Sequence, residues 1–511
     1  MNESLRQPCR HAGAVAELSI KCCLLVNLPL PGSQPQHETE HCWKMNQPGN
    51  PKILQCVSPV DGSVYVEREA ADSGSISQSI ELSRSAQKHW QQTSLAERAR
   101  ICEKAVAYFE SKQNQIAEEI AWQIGRPVGF AGGEVNGLAE RARHMIAIAE
   151  RSLADVVPET KAGLKRFIRR EPVGTVFTIA PWNYPLLTSV NSIVPALMAG
   201  NSVLLKASAQ VPLCGEHFAR AFASAGLPEG VLQNLFLSHE DTERIVKSGQ
   251  MDFICFTGSV PAGQRIERAA AGTFAGVALE LGGKDPAYVR EDANFDSAVE
   301  NLVDGAFFNS GQSCCGIERI YVHGSLFDTF VEAYVERVKQ YSLANPLQPG
   351  TTLGPVVKTS AADWVRQQVR EAVSEGASAC IDPGLFPSAA DNTPYLAPQV
   401  LTGVNHTMSV MTAESFGPVV GIMPVTNDEE AIRLMNDSDL GLTASLWTQD
   451  QDRAEQLGEQ LECGTVFMNR ADYLDPALVW TGVKNTGRGA ALSELGFHQL
   501  TKPKSFYLKD A

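Results

Sequence analysis

The chain of 511 residues is long enough for two to four domains, and 44% hydrophobic content supplies a sizeable core. A net charge of −15 argues against nucleic acid or an anionic membrane surface as the main partner. No stretch approaches the ~20 apolar residues of a membrane-spanning helix. Twelve scattered cysteines without spaced CxxC pairs are not a disulfide framework; they fit a reducing compartment and a cytoplasmic location.

Residues 1–44 read as a disordered extension, or as an over-long start with Met45 as the first residue. They hold Cys9, Cys22, Cys23 and Cys42, several prolines and one short apolar run; Glu3 and Glu17 flank weak hydrophobicity, a poor signal peptide. His37-Glu38-Thr39-Glu40-His41 matches the HExxH zinc-peptidase pattern, which needs a helix and a third ligand. Pro31, Pro35 and Pro48 surround it without apolar periodicity, so this reading is a minor alternative and no metal is expected.

From about residue 66 to 153 the pattern is helical. Ser94 and Glu97 form a capping box ahead of the stripe Ile101, Ala105 and Phe109, and Gly125-Arg126-Pro127 stops a helix. After Gly174, strands at 175–179, 202–206, 232–237, 253–256 and 276–281 alternate with helices at 190–199, 212–225, 241–248 and 261–271. This rhythm predicts a parallel sheet covered on both faces, the architecture that hosts dinucleotides. A second α/β alternation spans about 296–469, with strands at 319–322 and 419–425 and a helix at 327–340. Residues 500–508 read as a strand with no obvious partner in its own domain.

Four motifs carry chemistry. Phe308-Asn309-Ser310-Gly311-Gln312-Ser313-Cys314-Cys315 leads small and polar residues to a cysteine, although a cysteine taken alone is more often a buried hydrophobe. Glu280-Leu281-Gly282-Gly283-Lys284 puts a carboxylate at a strand's carboxyl end, where open α/β sheets bind ligands; a solvated strand-end glutamate is the bland alternative. Pro181-Trp182-Asn183-Tyr184-Pro185 is a rigid loop that presents the Asn183 amide as a donor, or simply a turn. In Phe256-Thr257-Gly258-Ser259-Val260-Pro261 a strand ends and a helix starts. Ser259 suits its cap and Pro261 its first turn, and free amides there attract a phosphate.

In order and content these motifs resemble the aldehyde dehydrogenase superfamily, in its NAD(P)-dependent hydrolytic branch, from about Ser58 to Leu508. Lys206, Glu414-Ser415-Phe416-Gly417-Pro418, Asn469 and Gly482-Val483-Lys484-Asn485-Thr486-Gly487 extend the match. The resemblance implies an α/β fold: a Rossmann-like parallel-sheet cofactor domain (45–151 and 173–282), a second α/β catalytic domain (283–480) and a β oligomerisation arm (152–172 and 496–511). The arm strand extends a partner's sheet in such proteins, which would explain the unpaired tail and implies a homodimer or homotetramer.

By the same resemblance Cys314 attacks an aldehyde, Asn183 and the Cys314 amide hold the oxyanion, and Glu280 activates water to release the acid from a thioester. Cys315 is a neighbour of the nucleophile. Glu414 binds the nicotinamide ribose, and Phe416 and Leu281 lie near the nicotinamide. Lys206 reaches the adenosine ribose, while Gly258, Ser259 and Trp182 line the pyrophosphate path. NAD is the expected cofactor. Ala209, where NAD-preferring relatives often carry a glutamate, leaves NADP open, because no carboxylate repels a 2′-phosphate there.

Asn191-Ser192 stands where many hydrolytic relatives place an aromatic and a lysine, which suggests a wider or more polar substrate tunnel. Arg470, Asp472, Tyr473 and Trp480 approach its mouth. Arg470 favours an acidic semialdehyde, Asp472 and Asp475 an aminoaldehyde, so the substrate is not legible. Glu280 argues against the branch that passes the acyl group to coenzyme A. A non-enzymatic scaffold on this fold is the alternative from another class, and the joint presence of Cys314, Glu280, Asn183 and Glu414 speaks against it.

Overall fold

Two large sheets with helices packed against them organise residues 52–509, the part of the chain this computed structural model describes. The expected extension and the His37/His41 motif lie outside those residues.

In the first sheet the spatial order is Gly487–Arg488, Gly276–Glu280, Phe253–Thr257, Thr175–Ile179, Ser202–Lys206 and Leu232–Asn234. All neighbours are parallel except Gly487–Arg488, which runs antiparallel with Gly487 opposite Glu280. Every residue of Thr175–Ile179 and Ser202–Lys206 is buried, because helices cover both faces and the strands are apolar without alternation. The chain enters at Thr175–Ile179, builds outward to Leu232–Asn234, and then returns to the other side at Phe253–Thr257. The carboxyl ends of Thr175–Ile179 and Phe253–Thr257 therefore flank a topological switch point, where a crevice opens above the sheet.

The second sheet runs Ser378–Ala379, Gln399–Thr402, Val419–Val425, Ile317–His323, Asp285–Val289, Thr443–Trp447 and Thr465–Met468. Only its first strand is antiparallel to its neighbour. Strand Ile317–His323 is central, and Cys314 immediately precedes it.

Three expectations change. The region expected to be helical from residue 66 opens with an antiparallel hairpin, Ile53–Val57 with Val64–Glu69, and its helices begin only at Ser73–Trp90. The hairpin alternates its burial only weakly, so apolar periodicity alone did not separate it from a helix. The helix expected from residue 190 starts at Pro185. Proline suits the first helical turn, and the amides of Leu186 and Leu187 are satisfied by the Glu134 carboxylate, a partner remote in sequence. The tail strand is not without a partner: Thr501–Lys509 pairs with Leu164–Pro172 of the same chain, antiparallel, with Phe506 stacked on Phe167 at 4.5 Å. Phe497 and Leu500 are buried in the first domain's core, and the paired strand starts at Thr501.

Other expectations hold in detail. Ser94 caps Leu95–Ser111 by accepting from the Glu97 amide. Gln113–Ile124 ends on Gly125 at φ 82, where an added Cβ would lie 2.6 Å from the Pro355 carbonyl, so that both conformation and space require glycine.

Candidate active site

Helix Phe295–Phe307 ends in a tight loop that carries the cysteine. Asn309, Ser310 and Gly311 all adopt left-handed backbone (φ 53, 56 and 71). A conformation held at about 1–3 kcal/mol per non-glycine residue persists only when its surroundings impose it. Here Ser310 Oγ donates to the Gly354 carbonyl at 2.8 Å, and Gln312 Oε1 accepts from the Val357 amide at 2.7 Å. Gly311 passes so close to Gly417 that a Cβ would sit 2.3 Å from its carbonyl oxygen. The loop delivers two cysteines to different surroundings. Cys314 is half-buried, whereas Cys315 is buried and its thiol donates to Asp472 Oδ1 at 2.8 Å. Contact with Cys314, burial and the Asp472 carboxylate all push the Cys315 thiol up, which keeps it protonated and a poor nucleophile.

A buried ion pair ties this loop to the one bearing Asn183. Arg126 Nη1 meets Glu134 Oε1 at 2.8 Å, with both side chains almost wholly out of solvent. Arg126 Nε also donates to Asn309 Oδ1 at 2.9 Å, and Nη2 donates to the Asn183 carbonyl. The Asn183 side-chain amide donates to the Gln312 carbonyl at 3.1 Å, two residues before Cys314. An amide nitrogen has two hydrogens, so one remains to be offered to a group at the cysteine.

Glu280 closes its strand at the same crevice. Its carboxylate accepts from Thr257 Oγ1 at 3.1 Å, and burial pushes it up to about 7 against the pull of that bond and of Arg141. The Gly482–Gly487 segment pins the backbone beyond it. Thr486 Oγ1 donates to the Gly282 carbonyl at 2.8 Å, and the Leu281 amide donates to the Thr486 carbonyl at 2.9 Å. Asn469, at φ 52, exchanges two side-chain hydrogen bonds with the Thr448 backbone and plays a structural part.

The residues expected to hold a dinucleotide border the crevice from both sheets. Trp182 and Phe416 meet edge to face at 5.6 Å. Glu414 lies over Gly282, where a Cβ would collide with its carboxylate at 2.4 Å, and accepts from the Gly283 amide at 3.2 Å. Burial and the neighbouring Glu318 push Glu414 up to about 8. Glu318 itself pairs with buried Lys284 and takes the amides of Ser415 and Phe416, which holds Phe416 at φ 51. Burial lowers Lys206 to about 8. Gly258 passes the Phe256 ring at a distance no Cβ allows, 2.7 Å. Ser259 takes the cap position of helix Val260–Ala270, but its side chain makes no capping bond. Pro261, second in the helix, lacks the N–H such a cap often uses, so the helix start keeps amides without a side-chain cap, a setting that attracts an anion. These features fit a nucleotide phosphate and two riboses.

Cys314, Glu280 and Leu281 line one cavity of about 290 Å³. Lys206, Gly258, Ser259, Trp182, Glu414 and Phe416 do not line that cavity. Arg126, Glu134, Asn309 and Thr257 were not marked as site residues from sequence. Arg126, Asn309 and Thr257 lie inside noted short segments and Glu134 in none, and nothing local revealed that the Arg126 charge turns inward.

Residues 43–506 match the aldehyde dehydrogenase family. An aldehyde dehydrogenase of Paenarthrobacter nicotinovorans is 33% identical over 89% of this chain and 99% of its own. A succinate-semialdehyde dehydrogenase [NADP(+)] of Mycobacterium avium (strain 104) is 33% identical over 81% of this chain and 88% of its own. Among solved structures, the succinic semialdehyde dehydrogenase of Streptococcus pyogenes in complex with NADP+ superposes with a TM-score of 0.85 at 26% identity, covering 89% of this chain and 100% of that one. With the α/β architecture, the crevice and the match over nearly the whole sequence in agreement, this chain belongs to the aldehyde dehydrogenase family.

Proposed function

We propose that this NAD(P)-dependent aldehyde dehydrogenase works by covalent catalysis at Cys314 with hydrolysis by Glu280. The observation that carries the reading is their shared cavity, with a half-buried cysteine and a glutamate pushed up to about 7. Cys314 attacks the aldehyde carbon as thiolate, giving a tetrahedral thiohemiacetal. The free hydrogen of the Asn183 amide and the Cys314 backbone amide stabilise its oxyanion, at about 3–4 kcal/mol per donor. A bound nicotinamide dinucleotide supplies the hydride acceptor, and loss of hydride leaves a thioester on Cys314. Glu280, as carboxylate, takes a proton from water, which attacks the thioester carbonyl; the acid leaves and Cys314 is regenerated as thiolate. Thr257 keeps the carboxylate in place through its hydroxyl.

Glu414 and Lys206 are suited to the nicotinamide and adenosine riboses, and the Ser259 turn to the pyrophosphate, with Trp182, Gly258, Leu281 and Phe416 as walls. Both NAD and NADP are accommodated. The absence of a carboxylate at Ala209, beside a lysine that stays mainly cationic at neutral pH, supports use of NADP. The names of relatives that use NADP(+) support it too. In the ribbon of Leu164–Pro172 and Thr501–Lys509, Val156 bridges Ile168 on one edge, while the outer edge of Thr501–Lys509 has no further strand partner among the described residues and exposes Tyr507 and Leu508, which supports a homodimer or homotetramer. The eight cysteines among the described residues are all free, in keeping with a reducing, cytoplasmic compartment.

The test is single-turnover kinetics with intact-mass detection. Cys314→Ala abolishes turnover while cofactor still binds. Glu280→Gln gives one burst of reduced cofactor and leaves an acyl adduct on Cys314. Near-normal turnover of Cys314→Ala overturns the assignment.

A further inference from the structure

The cavity above Cys314 carries more negative than positive charge, and its positive groups are already engaged. Arg126 is paired with Glu134. Arg141 donates to the Leu187 carbonyl at 3.0 Å and to Asn191 Oδ1 at 3.3 Å, and its charge acts on neighbouring Glu280. Of the lining carboxylates only Glu134 has an ion pair among the described residues; Glu140 accepts from the Tyr473 hydroxyl, Glu280 from Thr257, and Asp472 and Asp304 stand without a cationic partner. Asp472 sits beside the nucleophile: its Oδ1 accepts from Cys315 Sγ at 2.8 Å and Ser313 Oγ at 3.3 Å, while Oδ2 accepts from no described residue. Asp304 lies at the mouth. Its carboxyl is held above the usual range by desolvation and by Asp472, against the pull of Arg470. Aromatic rings of Phe130, Phe308 and Tyr473 complete the wall; Arg470 already takes one face of Tyr473 and Arg126 lies over Phe308, which leaves Phe130 as the ring without a protein cation over it among the described residues.

The tertiary arrangement also arbitrates between cues that conflict in the sequence. Arg470, which favours an anionic aldehyde, is not part of the cavity wall; its guanidinium lies over the Tyr473 ring at 4.3 Å. Asp475 is likewise outside, spent on the Ala477 amide at 2.8 Å. Asp472 is inside.

We infer that the substrate is an aldehyde bearing a cationic nitrogen a few bonds from its carbonyl, held between Asp472 and Asp304 while the carbonyl meets Cys314. The inference rests on the dehydrogenase reading above. It departs from the succinate semialdehyde named for two of the relatives, whose carboxylate would face Asp472.

The experiment compares kcat/KM for three probes: 4-(trimethylammonio)butanal, its neutral isostere 5,5-dimethylhexanal, and succinate semialdehyde. The cationic probe is expected to exceed the isostere by about tenfold, the size of a partly solvated charge pair, with the anionic probe below both. In Asp304→Asn and Asp472→Asn the cation-to-neutral ratio falls toward one, a readout that a general loss of activity does not move. A ratio near one in the unaltered enzyme, a ratio unchanged in both variants, or preference for succinate semialdehyde overturns the inference. Oxidation of the neutral isostere keeps the two readings separable. If none of the three is oxidised while NADP binds, the dehydrogenase reading itself fails and the inference falls with it.

Discussion

Burial shifts Glu280, Glu414 and Lys206 toward their neutral forms, and for the base the direction has a kinetic consequence. Burial favours the neutral form of Glu280 and sets it at about 7, so its carboxylate fraction grows as pH rises. Thioester hydrolysis is therefore expected to accelerate about tenfold between about pH 6 and pH 8, flattening above that, as for a single carboxylate base. Pre-steady-state kinetics that isolate deacylation measure this, and Glu280→Gln removes the slope. The candidate nucleophile, the base and the oxyanion donor were legible in the sequence because each belongs to a short motif whose chemistry is local. The choice between adjacent cysteines needed the fold for its physical reason: Cys315 turns inward onto Asp472, a residue 157 positions away.

At the scale of elements, the site depends on a strut absent from any motif. Glu134, near the start of helix Gly133–Leu153, accepts from the first amides of Pro185–Ala199 and pairs with Arg126, which holds both the Asn183 and the Asn309 loops. Glu134→Ala leaves a buried guanidinium without its counter-charge, expected to cost about 3–5 kcal/mol of stability and to lower kcat as well. Chemical denaturation alongside steady-state kinetics reads both effects. Glu134→Gln keeps the amide acceptor and isolates the loss of charge. Most core strands were legible because a strand buried on both faces is a continuous apolar run, as at Ser202–Lys206. The start of Pro185–Ala199 was not, since the amides at its start are satisfied by a side chain about 50 residues upstream.

For the whole molecule, the ribbon formed by Leu164–Pro172 and Thr501–Lys509 is the feature least anchored in a core, and a two-stranded ribbon is marginally stable alone. Removing residues 501–511 strips Leu164–Pro172 of its only strand partner among the described residues. On the proposed homo-oligomer reading, the truncated protein scatters light as a monomer while the full chain does not, and it keeps helical circular dichroism because Phe497 and Leu500, which are core, remain. An unchanged mass overturns the oligomerisation role.

By itself, the sequence determined the family and the α/β alternation, and it supplied the candidate residues for catalysis and cofactor binding, Cys314, Glu280 and Asn183 among them. Those properties reside in runs of a few residues, where backbone geometry and side-chain chemistry are specified together. Only the tertiary structure decided which charges face the substrate, what holds the two catalytic loops in register, and that the tail pairs with Leu164–Pro172. Those outcomes depend on contacts between residues tens to hundreds of positions apart. Burial there sets both the cost of a charge and its partner, and no local pattern records it.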